Sequence, residues 1–362
     1  MHIAYLSAEY PDKNLPSSGG IGSFVKTMAD SLVANGHKVT VFLCLQTKDK
    51  VWKDGETTII SIKRNSLPKV NAIIDRFLIA RMLRKYARTS KIDLIEAPDW
   101  EGLHAFLNLN IPIVTRIHGS VSYFNKIQDV KIPKSLFWFE KKALQLSNSI
   151  VAVSDFSGRY TNEVFDLKLN YNVIYNGVNV DTFSPSKTTL SNNTILYFGT
   201  LASKKGVIEL AHIFNELIKI NPTPKLILIG KDAFDQQEKK STWELMQKSF
   251  TNKAIKKVVY KGTVPYSEMS KHISEATVCV FPSFAEAFPI SWLEAMAKEK
   301  SIVASNIGWA KESIDNNVSG FLVNPTEHKV FANKINELLL DESLRSTISK
   351  NARIRVKSLF NQ

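Results

Sequence analysis

The chain has 362 residues, enough for two domains of ordinary size, and is 44% hydrophobic and 22% charged, the balance of a globular rather than a disordered protein. No apolar run reaches the ~18 residues that a membrane-spanning helix needs. The formal charge of +13 raises nucleic acid as a partner, but 23 Lys+Arg stand against 17 Asp+Glu up to Ser184 and 24 against 17 beyond it. So even a spread, without a zinc-finger, homeodomain or RNA-recognition signature, argues against that class.

The opening "MHIAYLSAEYP" lacks the basic start and long apolar core of a signal peptide. Cys44 and Cys279 both lie in apolar strand-like runs and read as buried free thiols of a cytoplasmic protein. After the first strand, "SSGGIGSF" (Ser17 to Phe24) opens a helix whose free N–H groups suit an anion. Its spacing is not G-x-G-x-x-G, and glycine pairs are usually just turns, so the stretch alone is a weak signal. From Lys63 to Lys91 run nine basic residues and one acid, Asp75. Val70, Ile73, Ile74, Phe77 and Leu78 fall there at helical spacing, with Arg76, Arg84, Lys85 and Arg88 elsewhere round the wheel. Two readings stand: a surface helix packed on a sheet, or a face for anionic lipid headgroups or an anionic acceptor.

Further along, "APDWEG" places Asp99 and Glu101, and "RIHGS" places His118 and Gly119, at strand ends. A lone strand-end histidine is more often structural than functional. The polar, turn-rich break "NGVNVDTFSPSKTTLSNNT" divides the chain into domains 1–184 and 185–362. In the second domain "FGTLASKKGV" sets Lys204 and Lys205 before Gly206 at a helix start; such a pair is either simply solvated or meets an anion. "FPSFAEAFPISWLEAMA" carries Glu286 and Glu294 with seven residues between them. Pro289 forbids one continuous helix. The stretch therefore predicts a strand over Thr277–Phe281, a loop bearing Glu286, and a helix from about Pro289 bearing Glu294.

Short β-branched runs alternate with amphipathic stretches in both halves, which predicts two doubly wound α/β domains facing each other across a cleft. Helix N-termini and a lysine would neutralise phosphates, while carboxylates would accept hydrogen bonds from neutral hydroxyls. A nucleotide sugar has both parts. No D-x-D triplet occurs, so a carboxylate-held magnesium ion on the diphosphate is not indicated and no metal ligand is assigned.

The segments "GGIGSF", "RIHGS", "VAVSDF", "YNGVNVDTFSP", "FGTLASKKGV", "FPSFAEAFPISWLEAMA" and "NNVSGFLVNP" together resemble the retaining glycosyltransferases of family 4, with the two-domain Rossmann-like GT-B fold. The specific part is E-x7-E in this order and context. The resemblance implies that Gly20, beside Gly19, offers its amide to the donor diphosphate, and that His118 lies close to the transferred sugar. It implies that Lys205, helped by Lys204, pairs with the diphosphate, that Glu286 contacts donor-sugar hydroxyls and that Glu294 contacts the ribose. Thr200, Ala287, Phe288, Pro289 and Ile290 fall at the remaining donor positions, and Asp99 and Glu101 on the acceptor side. Thr200 stands where the family commonly has arginine, and "EAFPI" replaces E-G-F-G-L, so Pro289 removes one backbone N–H from the donor site. The chain stops at "RIRVKSLFNQ", where the family continues into a crossover helix; a truncated or unusually short crossover is expected.

The expected function is retaining transfer of a sugar from a UDP- or GDP-linked donor, with no other cofactor, to a hydroxyl of a glycan or lipid-linked acceptor in polysaccharide, lipopolysaccharide or glycolipid synthesis. Residues 63–91 would attach the protein peripherally to an anionic membrane. The alternatives are a GT-B phosphorylase or epimerase, and a non-catalytic protein that binds a nucleotide sugar or a membrane surface.

Overall fold

The β-branched runs become strands. A computed structural model describes residues 1–12, 15, 18–67, 70–185 and 193–361. Ser17, Pro68, Lys69 and residues 186–192 of the turn-rich break lie outside them. The first compact unit is Met1–Ile174 and the second Tyr175–Gln362. The division thus falls before "NGVNVDTFSP" rather than at Ser184. That segment packs on the second unit: Val178 bridges Asn361, and the Asn176 amide donates to the Phe288 carbonyl at 3.1 Å.

The first unit runs β1 (His2–Ser7), α1 (Gly20–Ala34), β2 (Lys38–Gln46), β3 (Lys50–Asp54), β4 (Thr57–Lys63), α2 (Asn71–Thr89), β5 (Leu94–Pro98) and β6 (Ile113–Ile117). It continues with α3 (Val121–Ile127), α4 (Lys134–Leu146), β7 (Ser149–Ala152), α5 (Asp155–Phe165) and β8 (Asn172–Val173). Its strands lie in the order β3-β4-β2-β1-β5-β6-β7-β8, parallel except for the β3–β4 pair. All six residues of β1 are buried, as a parallel strand covered on both faces requires.

In the second unit come β9 (Thr194–Phe198), α6 (Val207–Ile220), β10 (Lys225–Ile229), the short antiparallel pair β11 (Phe234–Asp235) and β12 (Lys240–Ser241), α7 (Thr242–Ser249) and β13 (Val258–Tyr260). Then follow α8 (Tyr266–Glu275), β14 (Val278–Phe281), α9 (Ile290–Ala297), β15 (Ser301–Ser305), α10 (Ala310–Ser313), β16 (Phe321–Val323), α11 (His328–Leu340) and α12 (Glu342–Leu359). Its main sheet has the parallel order β13-β10-β9-β14-β15-β16. Strand order reverses at β1/β5 in one sheet and at β9/β14 in the other. Ligands bind open α/β sheets in the crevice beyond the carboxyl ends at such points. Cys44 and Cys279 are buried free thiols.

One helix departs from its expected orientation. In α2 the buried residues are Asp75, Arg76, Ile79, Ala80 and Leu83, whereas Val70, Ile73 and Phe77 are exposed. Arg76, expected on the surface, is held inside because its guanidinium finds carbonyls at Gly102, Glu101 and Ala72 and stacks 4.1 Å from the Phe139 ring centroid. Arg84 is half-buried and donates to the Phe106 carbonyl. With those polar partners inside, the expected apolar stripe is turned outward.

Candidate functional site

Glycine decides how closely the β9 loop can approach the β14 loop. Beyond β9 the chain makes a short 3-10 turn, Ser203–Lys205, and Gly206 starts α6 at φ +66°. A Cβ on Gly206 would sit 1.8 Å from the Pro282 carbonyl oxygen, so no other residue fits there without moving backbone. This contact lets the Lys204 carbonyl accept from the Phe284 and Ala285 amides at 2.9 and 3.2 Å. Glu286 is thereby brought onto Lys205, whose Nζ donates to its Oε1 and Oε2 at 2.5 and 2.6 Å, and Ser283 donates to Oε1 at 3.1 Å. Burial, then neighbouring Lys205, pushes the half-buried Lys204 ammonium down to about 8.

The far side of the Glu286 loop is braced by Asn176 on the Phe288 carbonyl and by the Phe288 ring, 5.0 Å from Tyr175 and 5.3 Å from Phe360. Ala287 and Phe288 are buried. Pro289 caps α9 rather than filling its first helical position. The helix begins at Ile290, and its first-turn amides have no partners within the helix. Glu294 projects from α9 and is buried; the Tyr266 hydroxyl donates to its Oε1 at 2.6 Å. Burial pushes this carboxyl up to about 7, against the Tyr266 bond. Thr200 is exposed, and its carbonyl accepts from the buried Tyr197 hydroxyl at 2.9 Å.

In the first unit, His118 directly follows β6 and is half-buried, its ring 4.7 Å from Phe24. Burial and the Arg116 guanidinium hold the imidazole neutral, far below its ordinary value. Arg116 is itself tied to Glu96 at 2.7 Å. Asp99, expected to face an acceptor, is instead 0% exposed. Its Oδ1 accepts from the His118 amide at 2.9 Å, and its Oδ2 has no hydrogen-bond partner. A carboxylate so enclosed holds the His118 turn through its backbone amide. Burial pushes it up to about 8. Glu101 is half-buried at φ 57°. Its amide and those of Val121 and Ser122 converge on the buried Glu140 carboxylate at 3.0–3.1 Å.

Gly19 and Gly20 are exposed at the start of α1. The Gly19 amide donates to Glu9 Oε2 at 2.6 Å. Glu9, Tyr266, Asn176 and Glu140 were not legible as site residues, since each acts through a partner distant in the chain. The one local signal was the "AEYP" after β1, a carboxylate just past a strand end. Among the described residues no three His, Cys, Asp or Glu side chains gather as a metal would need.

Two family models match successive stretches: "Glycosyltransferase Family 4" over residues 18–182 and "Glycosyl transferases group 1" over 181–355. The capsular polysaccharide biosynthesis glycosyltransferase CapM of Staphylococcus aureus is 30% identical over 173 residues, 48% of this chain and 43% of that protein. Sucrose-phosphate synthase from Thermosynechococcus elongatus superposes with a TM-score of 0.81 at 21% identity, over 99% of this chain and 95% of that one. HepE of Anabaena, solved with UDP and glucose, superposes with a TM-score of 0.76 at 19% identity over the same shares, 99% and 95%. These likenesses agree with the two doubly wound units: the fold is GT-B.

Proposed function

Because the chain belongs to the family 4 and group 1 glycosyltransferases, we propose that it is a retaining, metal-independent enzyme taking its sugar from a UDP- or GDP-linked donor. The acceptor is a hydroxyl of a glycan or lipid-linked molecule in polysaccharide, lipopolysaccharide or glycolipid synthesis, on the cytoplasmic side of a membrane. The observation that carries this reading is the Lys205–Glu286 contact at the β9/β14 crossing, with Glu294 on the helix that follows. HepE, which binds UDP and glucose, and CapM, in capsule synthesis, give it precedent.

In the ligand-free protein Lys205 and Glu286 satisfy each other. An arriving diphosphate competes for the ammonium and releases the Glu286 carboxylate to accept from sugar hydroxyls. Glu294 is suited to the ribose diol. The neutral His118 imidazole can hydrogen-bond a neutral sugar hydroxyl without adding charge. As the bond from the anomeric carbon to the phosphate oxygen breaks, the acceptor oxygen bonds that carbon from the same face. The departing phosphate oxygen takes the acceptor's proton. Negative charge grows on the leaving group, where Lys205 and the α9 N-terminus meet it.

The test is a thermal-shift panel of UDP- and GDP-sugars, followed by determination of the anomer formed. A donor at 100 times its Kd raises stability by about 2.7 kcal/mol. A product of inverted configuration would end the retaining assignment, and a panel without any shift would end the donor assignment.

A further inference from the structure

Along α2 one exposed stripe, at three- and four-residue steps, reads Val70, Ile73, Phe77, then Arg81, Lys85 and Arg88. Its first half is apolar and its second half cationic. Phe77 is 53% exposed although it stacks on Phe106 at 4.6 Å. Phe106 lies in turn 5.9 Å from Trp138 of α4, itself 50% exposed. The two helices therefore present one surface, with an aromatic row running across it. Leu67, just before α2, extends the apolar end and is 54% exposed. One turn before Trp138, Lys134 is exposed on the same side of α4.

The charges on this surface have one sign. Each of the two helices contains a single carboxylate, and both are internal: Asp75 is 3% exposed and Glu140 0%. Every exposed ionic group on α2 and α4 is thus a cation. Large apolar side chains left in water cost free energy unless something covers them. An aromatic pair among long cationic side chains matches a bilayer interface, where rings sit at headgroup depth and lysines reach outward to lipid phosphates.

We propose that the α2–α4 face docks on an anionic lipid bilayer, with Phe77 and Trp138 inserted and Lys134, Arg81, Lys85 and Arg88 on the headgroups. The docking is independent of sugar transfer, and differs from attachment by charge alone in needing the apolar row.

The experiment is sedimentation of the purified full chain with phosphatidylcholine vesicles, with and without phosphatidylglycerol, at low and high salt. The parent is expected to pellet with the anionic vesicles and to shift its tryptophan emission to the blue. The Phe77→Ser/Trp138→Ser double variant should lose about tenfold or more in partitioning at the same salt, since two large side chains no longer leave water. Arg81→Gln/Lys85→Gln/Arg88→Gln should lose the preference for phosphatidylglycerol. Melting curves and donor turnover in vesicle-free buffer separate this result from misfolding and from any failure of the sugar-transfer reading. A parent that stays in the supernatant at low salt would overturn the proposal. So would a double variant that pellets like the parent, or a solution dimer that the double variant dissociates, which would make a second copy the occupant.

Discussion

The Tyr266 hydroxyl is hydrogen-bonded to the buried Glu294 carboxylate at 2.6 Å, across 28 residues of chain. Tyr266 begins α8 and Glu294 lies within α9, so the bond ties two helices of the second unit and orients the carboxylate assigned to the ribose. Glu294 must be ionised to accept from a diol. With burial raising it to about 7, UDP or GDP affinity should rise as pH increases from 6 to 8. Tyr266→Phe removes the bond that holds the group down, so the rise should move to higher pH and affinity at pH 7 should fall about tenfold. Glu294→Gln should bind weakly and without pH dependence. Titration calorimetry across this range decides; equal, pH-independent affinities in parent and Tyr266→Phe would remove the pair from the nucleotide site.

Lys205→Ala should lower kcat by on the order of 10²–10³ and change the donor KM less, because the charge it meets grows as the bond breaks. The same variant leaves Glu286 without its ammonium, so Glu286→Gln/Lys205→Ala should fold better than Lys205→Ala alone. Steady-state kinetics together with melting curves separate the two effects. A rise confined to KM would restrict Lys205 to ground-state binding.

Gly206→Ala should cost 3 kcal/mol or more, on the order expected when backbone must shift to relieve a clash. The new Cβ would fall 1.8 Å from the Pro282 oxygen at a φ of +66°. Denaturant unfolding measures this directly. Gly20→Ala, with nothing within 4 Å of its Cβ position, is the control and should stay near the parent.

Asp99 makes stability fall with pH. Its carboxyl rises from an ordinary 3.8 to about 8 in the folded protein, so the folded state holds a proton that the unfolded state has lost. The contribution is complete below about pH 4 and is lost progressively up to about pH 8, at roughly 1.4 kcal/mol per pH unit at most. Asp99→Asn keeps an acceptor for the His118 amide and carries no titrating proton. It should flatten the fall, and be the more stable chain at pH 8. Parallel pH–stability curves for the two proteins would refute the linkage.

Much of the architecture could be read along the chain, because strand and helix periods are local properties of apolar spacing. The β-branched runs, the glycine-opened helices and the strand–loop–helix of "FPSFAEAFPISWLEAMA" depend on neighbours within a turn or two, and they stand close to where the sequence alone places them. Side-chain partnerships do not have that property. Lys205 reaches Glu286 across 81 residues and Asn176 reaches the Phe288 carbonyl across 112; only the sheet order brings them together. The face that α2 buries was likewise settled in three dimensions. Carbonyls at Glu101 and Gly102 draw Arg76 inside, since a buried guanidinium is tolerable only where its donors are satisfied. Asp99 shows the same division: its position at a strand end was legible, but its enclosure depends on which elements pack over that end.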